Sequence, residues 1–270
     1  MRRSIALTVG LAVAAVACFK VPFTNRKALN LVPDKLMINL SNSTYKDLLK
    51  TEKLQRKGAD KELLDRVGKR IAVQAKRPDY DWEYSLIDDD ETINAWALPG
   101  GKIAFYSGIQ PVLKNESGMA FVMGHEVGHA IARHGAERMS QQLVLFGGLA
   151  GAYVLMDAKT ELKTEQKIAV LVATGAVAEV GLMLPFSRGH ESEADVIGTM
   201  YMAGAGYPPD EAVKVWGRME RETGGSGIPA FLSTHPANKK RQEVIREWLP
   251  QAKKRYERNK LSKDTTTKLW

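Results

Sequence analysis

Residues 118–139 read GMAFVMGHEVGHAIARHGAERM, and this stretch decides the fold. Its apolar residues predict one long helix, Gly118 to Met139, with the apolar side facing inward. His125 and His129 are four residues apart, so on a helix both imidazoles lie on one face and can bind one metal ion. Glu126 follows the first histidine, where its carboxylate can reach a water molecule beside that metal. The pentapeptide HEVGH predicts a hydrolytic zinc centre, although HExxH also occurs by chance in amphipathic helices.

A catalytic zinc ion takes three protein ligands and leaves a fourth position open. Cys18 is the only cysteine, so we expect the third ligand to be a His, Asp or Glu on a separate element. A helix is predicted from about Arg188 to Ala203, and it places Glu191 and Asp195 on one face. Glu191 suits a ligand, and Asp195 suits an acceptor for the other N–H of a zinc histidine. Glu193 points elsewhere and is predicted to be a solvated charge.

Ahead of this region the sequence predicts a small sheet. Trp82 to Ile87 favours a strand, and Ile93 to Leu98 with Lys102 to Tyr106 favours a β-hairpin around a turn at Pro99-Gly100-Gly101. Apolar residues also recur at helical intervals from Leu48 through Lys76. We therefore predict an α+β fold that is predominantly helical, with a small β-sheet beside the HExxH helix.

Two apolar blocks, Leu143 to Met156 and Ile168 to Phe186, raise the question of membrane spans. The first is short and contains three glycines, and the second contains Glu179 and ends at Pro185. A charge in lipid is costly. We expect two core helices, or a hairpin that dips partly into the bilayer surface, in preference to true spans.

The N-terminus predicts an export signal. Two arginines precede an apolar run from Ile5 to Ala17, and Ala15-Val16-Ala17-Cys18 resembles a bacterial lipobox with Ala where Leu is favoured. The predicted organisation is a signal peptide at 1–17, a lipid-anchored tether at 18–45, a peptidase domain at 46–250 and a basic tail at 251–270. An uncleaved anchor and an ordinary cleaved signal are the alternatives. Lipidation of Cys18 would place the protein in the bacterial periplasm, anchored at the outer membrane.

The composition of the chain limits the classes of protein to which it can belong. The chain has 270 residues, 44% of them hydrophobic and 26% charged, which excludes a wholly disordered protein. Its formal net charge of +8 comes largely from the last twenty residues, where seven Lys and Arg residues face two acidic ones. No nucleic-acid module or aromatic stacking platform accompanies this charge, so nucleic acid is not an expected partner.

Taken together, four separate blocks resemble the zinc metalloendopeptidases that include HtpX, BepA, LoiP and the CAAX prenyl proteases. The resemblance covers roughly residues 75–245 and is closest to periplasmic lipoprotein and BepA-like members. The matching residues are Asn94-Ala95, Pro99 to Ile103, the HEVGH motif, Ser187-Arg188 with Glu191, Ala194 and Asp195, and His235-Pro236 with Arg241.

The resemblance implies a zincin-type domain with one Zn²⁺ per chain, held by His125, His129 and Glu191. It further implies that Asp195 supports a ligand, that Glu126 is catalytic, and that the hairpin strand at Asn94 and Ala95 offers an edge to an extended peptide substrate.

The remaining histidines have weaker readings. In such a family His235 lies near the metal, where it either stabilises the oxyanion with Arg241 or binds zinc in a resting state; a loop histidine without a role is the alternative. His134 is expected to be a structural hydrogen-bonder near Arg138, and His190 is expected at the surface.

The predicted function is a lipid-anchored zinc metalloendopeptidase that hydrolyses misfolded or misassembled envelope proteins, which would be its partners. Two alternatives stay open. One is an envelope chaperone or assembly factor whose groove binds peptides and seldom cuts them. The other is an integral membrane protease that uses the two apolar blocks as spans.

Overall fold

The computed structural model describes residues 18–178, 184–222, 230–236 and 239–259. The predicted signal peptide, the glycine-rich loop at 224–227 and most of the basic tail lie outside these residues. In chain order the elements are β1 (Cys18–Lys20), β2 (Lys27–Leu29), α1 (Asp34–Leu49), α2 (Ala59–Ala75), β3 (Glu83–Ile87), β4 (Ala95–Leu98), β5 (Lys102–Tyr106), a 3₁₀ turn (Ser107–Ile109), α3 (Gln110–Leu113), α4 (Glu116–Ile131), α5 (His134–Lys159), α6 (Thr164–Ala178), α7 (Leu184–Gly204), α8 (Glu211–Glu222), α9 (Ala230–Thr234) and α10 (Lys239–Asn259). The predicted fold class, mainly helical with a small sheet, is confirmed.

The three-stranded sheet has the order β3-β5-β4, with β3 parallel and β4 antiparallel to β5. The predicted hairpin is confirmed, and its turn depends on Gly100 and Gly101, whose φ angles of 91° and 88° lie in the left-handed region that favours glycine. β4 has β5 on one side only. Among the described residues it is therefore one of the two edge strands of this sheet.

The HExxH motif lies on α4, but the prediction of one helix from Gly118 to Met139 is wrong. Asn115 caps the start of α4 by accepting a hydrogen bond from the backbone N–H of Gly118. The helix ends at Ile131, because Arg133 has a φ of 59°, and α5 begins at His134 in a new direction. The break turns the chain just after the second histidine.

α4 is buried along nearly its whole length and packs closely against α7. The approach depends on small residues, since a Cβ added at Gly198 would stand 2.6 Å from the backbone N of His125. A Cβ at Gly124 would stand 2.8 Å from the carbonyl oxygen of Gly198. The two backbones therefore nearly touch, which brings Glu191 on α7 over the histidines of α4.

The prediction of two core helices from the apolar blocks is wrong. The first block continues α5 and the second begins in α6, and the two helices contact each other as a hairpin. In the described part of both helices, large apolar side chains face outward: Phe146 and Val154 are both 64% exposed and Val172 is 66% exposed. α5 is long and apolar enough to cross a membrane by length and composition alone. Residues 179–183 of the second block lie outside the described residues.

Residues 18–45, predicted as a tether, contain β1, β2 and most of α1. β1 pairs antiparallel with β2, with Cys18 opposite Leu29. Val21 and Ala28 are fully buried members of the main hydrophobic core. This N-terminal segment is thus packed onto the body of the protein.

Candidate metal centre

Three side chains converge where α4 meets α7. Nε2 of His129 lies 3.1 Å from Nε2 of His125, and the Glu191 carboxylate oxygens lie 3.5 Å from Nε2 of His125 and 3.4 Å from Nε2 of His129. Ligand atoms about 2.0–2.1 Å from a tetrahedral Zn²⁺ are separated by roughly 3.3 Å. The two histidine nitrogens have this spacing, and each lies at a similar distance from one of the two Glu191 oxygens. The three side chains therefore converge as ligands of one zinc ion would.

His235 supplies a fourth donor at the same place. Its Nδ1 lies 3.3 Å from Nε2 of His125 and 2.9 Å from a Glu191 oxygen, and all four donor atoms lie within 4.8 Å of one another. The ring of Phe231 stacks on that of His235 with centroids 4.5 Å apart, and the Phe231 carbonyl accepts the His235 backbone N–H. In this conformation the imidazole takes the corner that a water molecule would need.

Asp195 lies behind His125, on the side away from the other donors. Its Oδ1 is 2.9 Å from Nδ1 of His125 and accepts a hydrogen bond from the Trp216 indole N–H at 3.2 Å. A carboxylate at this distance would keep the proton of His125 on Nδ1 and leave Nε2 to a metal ion. The role of Asp195 stays a prediction.

Arg241 is fully buried and orients the carboxylates of Glu191 and Asp195 on α7. Its Nε and Nη2 donate to Asp195 at 2.6 and 2.9 Å, and its Nη1 lies 3.1 Å from Glu191. The guanidinium also stacks on Trp216, 3.8 Å from the ring centroid. Since these contacts engage the guanidinium within the protein, the geometry favours a positioning role over the predicted contact with the oxyanion.

Glu126 lies on the other side of the donors, facing the sheet. Its Oε1 is 3.4 Å from Nε2 of His235, and the backbone N–H of Ala97 on β4 donates to the carboxylate. Burial raises the pKa of Glu126 above its usual range. A carboxylate in this environment holds a proton more readily than one in water. This property suits a group that takes up a proton in one step and releases it in the next.

The charges at the centre favour a cation. Burial raises the pKa of Glu191, but the neighbouring histidines outweigh it and lower the pKa far below the usual range. Burial lowers the pKa of His129, which keeps that imidazole neutral. Burial also acts to lower the pKa of His125, but the carboxylates of Asp195 and Glu191 raise it to about 9. Glu191 and Asp195 are thus ionised, and their charge is offset by Arg241 and by a proton on His125. A metal cation bound to the imidazole of His125 would take the place of that proton.

His134 and Glu193 form a support for His129 that the sequence did not reveal. Nδ1 of His134 lies 2.9 Å from Nδ1 of His129, and Nε2 of His134 lies 3.1 Å from the Glu193 carboxylate. The prediction that Glu193 is a solvated charge is wrong, because its side chain is buried. On one continuous helix, residues five apart do not face each other; the break at Arg133 brings the two imidazoles together.

Arg26 and His190 complete this buried layer. Arg26 donates to Glu137 at 2.7 Å and to Glu193 at 2.8–2.9 Å, so the N-terminal segment is tied to α5 and α7 together. His190 stacks on His134 with centroids 4.2 Å apart, and its Nε2 lies 3.0 Å from Glu137. The prediction of a surface position for His190 is therefore wrong.

Asn94 and Ala95 lie at the start of the edge strand. The Asn94 carbonyl accepts the Tyr106 N–H at 3.0 Å, and Asn94 Oδ1 accepts the N–H of Ala95. In an antiparallel ladder the backbone groups of alternate residues point to opposite sides of the strand. Because Asn94 bonds to β5, the backbone groups of Ala95 and Ala97 point away from β5, toward the open edge. The edge therefore passes the metal centre at Ala97, the residue bonded to Glu126.

The sequence of the chain is similar to those of known metallopeptidases. Residues 59–249 match the sequence profile of peptidase family M48. The chain is 36% identical over 236 residues to the mitochondrial metalloendopeptidase OMA1 of Schizosaccharomyces pombe, covering 86% of this chain and 66% of that protein. It is 32% identical over 267 residues to OMA1 of Saccharomyces cerevisiae, covering 90% and 72%. Over 178 residues it is 30% identical to the beta-barrel assembly-enhancing protease of Escherichia coli, covering 64% and 35%.

Proposed function

The chain belongs to peptidase family M48 and is a metalloendopeptidase of that family, and we propose that it uses one zinc ion to hydrolyse misfolded or misassembled proteins at a membrane. The observation that supports the metal is the convergence of His125, His129 and Glu191, in which the nearest nitrogen or oxygen atoms of each pair of side chains are 3.1–3.5 Å apart. Neutral imidazole and carboxylate are ligands typical of catalytic zinc. A zinc ion held there would lower the pKa of a bound water to about 7 and polarise the substrate carbonyl.

Glu126 is the general base in this proposal. Its carboxylate takes the proton of the attacking water and returns it to the amine that leaves when the peptide bond breaks. The Ala97 N–H fixes the carboxylate next to the edge strand, where a substrate backbone would lie. An extended substrate would donate to the carbonyls of Ala95 and Ala97, and it would pair with the Ala95 N–H after displacing Asn94 Oδ1. Such pairing binds backbone and reads few side chains. Such a mode suits unfolded segments of many proteins.

His235 keeps the centre closed in this proposal. Its imidazole occupies the fourth corner and lies 3.4 Å from Glu126, so it excludes the attacking water from both groups. Of the two roles predicted for His235, this geometry favours the blocking one. A substrate would be cleaved only after the imidazole has moved away.

The protruding hairpin of α5 and α6 supports a location at a membrane. A cluster of such exposed apolar side chains is unusual on a protein surface that faces water, and it marks a contact with a membrane or another protein. The relatives named above are mitochondrial in the fungi and bacterial in Escherichia coli. Lipidation of Cys18 and a periplasmic location stay predictions, and the hairpin gives the chain a membrane contact that does not depend on them.

The test compares the full chain with Glu126→Gln and with Glu243→Gln, an exposed control on α10. Each purified protein is analysed for bound metal by mass spectrometry and incubated with casein as an unfolded substrate. We expect about one zinc per chain in all three proteins, and loss of hydrolysis in Glu126→Gln alone. Hydrolysis that survives in Glu126→Gln, or wild-type protein without bound metal, would contradict the proposal.

A further inference from the structure

A cavity of about 420 Å³ opens beside the metal centre, where α1, the end of β4 and the start of α5 meet. It is lined mainly by apolar side chains, and one wall is formed by His129 and Ala130 of the HExxH helix. The other apolar walls are Met37, Leu40, Tyr80, Leu98, Ala136 and Met139. An apolar space thus adjoins a metal ligand.

The charged groups at the cavity neutralise each other. Arg133 donates to Asp34, and Arg77 donates to the same carboxylate at 3.1 Å. Arg77 also donates to Asp79, so two arginines face two carboxylates beside the cavity and their charges cancel. A charged occupant would lose its hydration without gaining a free counter-charge, which is costly. The chemistry of the cavity therefore favours a neutral, apolar occupant.

The edge strand leads to this cavity. The open backbone groups of β4 pass Glu126 at Ala97, and the next two residues, Leu98 and Pro99, already line the cavity. Ala97 itself also lines the cavity. Since successive residues of an extended peptide are about 3.3 Å apart, the cavity begins at the point where the strand passes the metal centre. A substrate paired along β4 would thus place a side chain close to the scissile bond in the cavity.

We propose that this cavity is a specificity pocket that takes a bulky apolar side chain, such as Phe, Leu or Met, from the residue next to the cleaved peptide bond. The inference rests on the proposed peptidase function and names its preferred substrate class. The volume is adequate, because an apolar cavity of about 150 Å³ already holds a benzene ring. Much of the pocket comes from α1, which precedes residues 59–249, the stretch matched to the family.

Gly135 offers a variant that fills the pocket. A Cβ at this position would contact only the terminal methyl of Met37, at 3.7 Å, and the helical backbone accepts a side chain there. Gly135→Leu therefore reduces the space without distorting the walls. Gly147→Leu is the matched control, since it is the same change on the same helix at a position where a Cβ meets nothing within 4 Å.

The experiment uses peptides identical except for one residue, Phe, Leu, Ala or Asp, next to the cleaved bond, with cleavage sites located by mass spectrometry. For wild type and Gly147→Leu we expect kcat/KM for Phe or Leu to exceed that for Ala by about tenfold or more, and Asp to be the poorest. In Gly135→Leu the preference should shift toward Ala. Equal cleavage of all four peptides, or an unchanged preference in Gly135→Leu, would overturn the pocket while leaving the peptidase function intact.

A binding measurement separates the pocket from turnover. In the Glu126→Gln background, fluorescence anisotropy with the same labelled peptides reports affinity without hydrolysis. We expect the Phe peptide to bind about tenfold more tightly than the Asp peptide, and Gly135→Leu to remove that difference. If the wild type hydrolyses nothing but this binding difference is present, the proposed function fails and the pocket stands; if the peptides bind equally, the pocket fails.

Discussion

Replacing His134 with Phe should weaken the metal centre without touching a ligand. With a metal on Nε2 of His129, the proton of that imidazole is on Nδ1, which lies 2.9 Å from Nδ1 of His134. Nδ1 of His134 must then be unprotonated and accept the hydrogen bond from His129, while Nε2 of His134 donates to Glu193 at 3.1 Å. A Phe ring keeps the stack on His190 but removes both nitrogens. His129 would lose the contact that fixes its tautomer and ring orientation.

The expected magnitude follows from the contact that is lost. Removing a hydrogen-bonding partner of a metal-bound imidazole costs about 10- to 100-fold in metal affinity. The same loss leaves a buried N–H unpaired, which costs about 1–3 kcal/mol. Since His134 is buried, water does not readily replace the acceptor. We therefore expect the zinc dissociation constant to rise by about 10- to 100-fold.

The assay is competition between the protein and a chromogenic zinc chelator, supported by the visible spectrum of the cobalt-loaded protein. His134→Asn is the informative companion, because its amide oxygen can stand near the lost Nδ1 and accept from His129; it should recover much of the affinity. His190→Phe is the control, since His190 contacts Glu137 and not a metal ligand through its ring nitrogens. Wild-type affinity in His134→Phe, or equal losses in the Phe and Asn variants, would refute the reasoning.

Three further predictions concern other parts of the molecule. His235→Ala should raise basal hydrolysis of casein, because it vacates the fourth corner of the donor set; unchanged or lower activity would rule out a blocking role. Gly198→Ala should lower the free energy of unfolding by about 1–3 kcal/mol in chemical denaturation, because its Cβ would stand 2.6 Å from the backbone N of His125; Gly147→Ala, with no such neighbour, should not be destabilising. Replacing Phe146, Val154 and Leu155 with Gln should abolish co-sedimentation with neutral phosphatidylcholine vesicles while casein hydrolysis persists; a variant that still sediments would show that the hairpin is not the membrane contact.

The strands and the helix of the HExxH motif were predictable because their signals are local. The turn at Pro99-Gly100-Gly101 needs left-handed φ angles that glycine adopts without strain, and short apolar runs flank it on both sides. The spacing of His125 and His129 fixes two ligand directions on any helix. The prediction of Glu191 as the third ligand rested on the chemical need for a donor on a second element, and the structure brings this residue to the two histidines.

The failures have a common physical cause, which is that periodicity reports a helix but not what covers it. The side chains of Leu143 to Met156 look like those of a core helix, yet α5 carries them away from the body. Conversely, Glu193 and His190 look like surface residues, but Arg26 and Glu137 bring the matching charges and hydrogen bonds from distant parts of the chain. A buried ion cluster assembled from separate segments leaves no pattern in any one of them.

One short helix, α9, both positions His235 at the metal centre and occupies a single backbone group, the Ile93 carbonyl, at the end of the strand edge. α9 holds His235 through the Phe231 carbonyl, and the Phe231 N–H donates to the Ile93 carbonyl at 2.9 Å, at the end of the open edge of β4. Ile93 has the same parity as Ala95 and Ala97, so this bond uses an edge group that a paired substrate would need. A displacement of α9 that breaks this bond would therefore expose the edge and, because His235 is attached to α9, also draw the imidazole from the fourth corner. An extended peptide that competes for the Ile93 carbonyl thus acts against the blocked state, which couples substrate binding to opening of the metal centre.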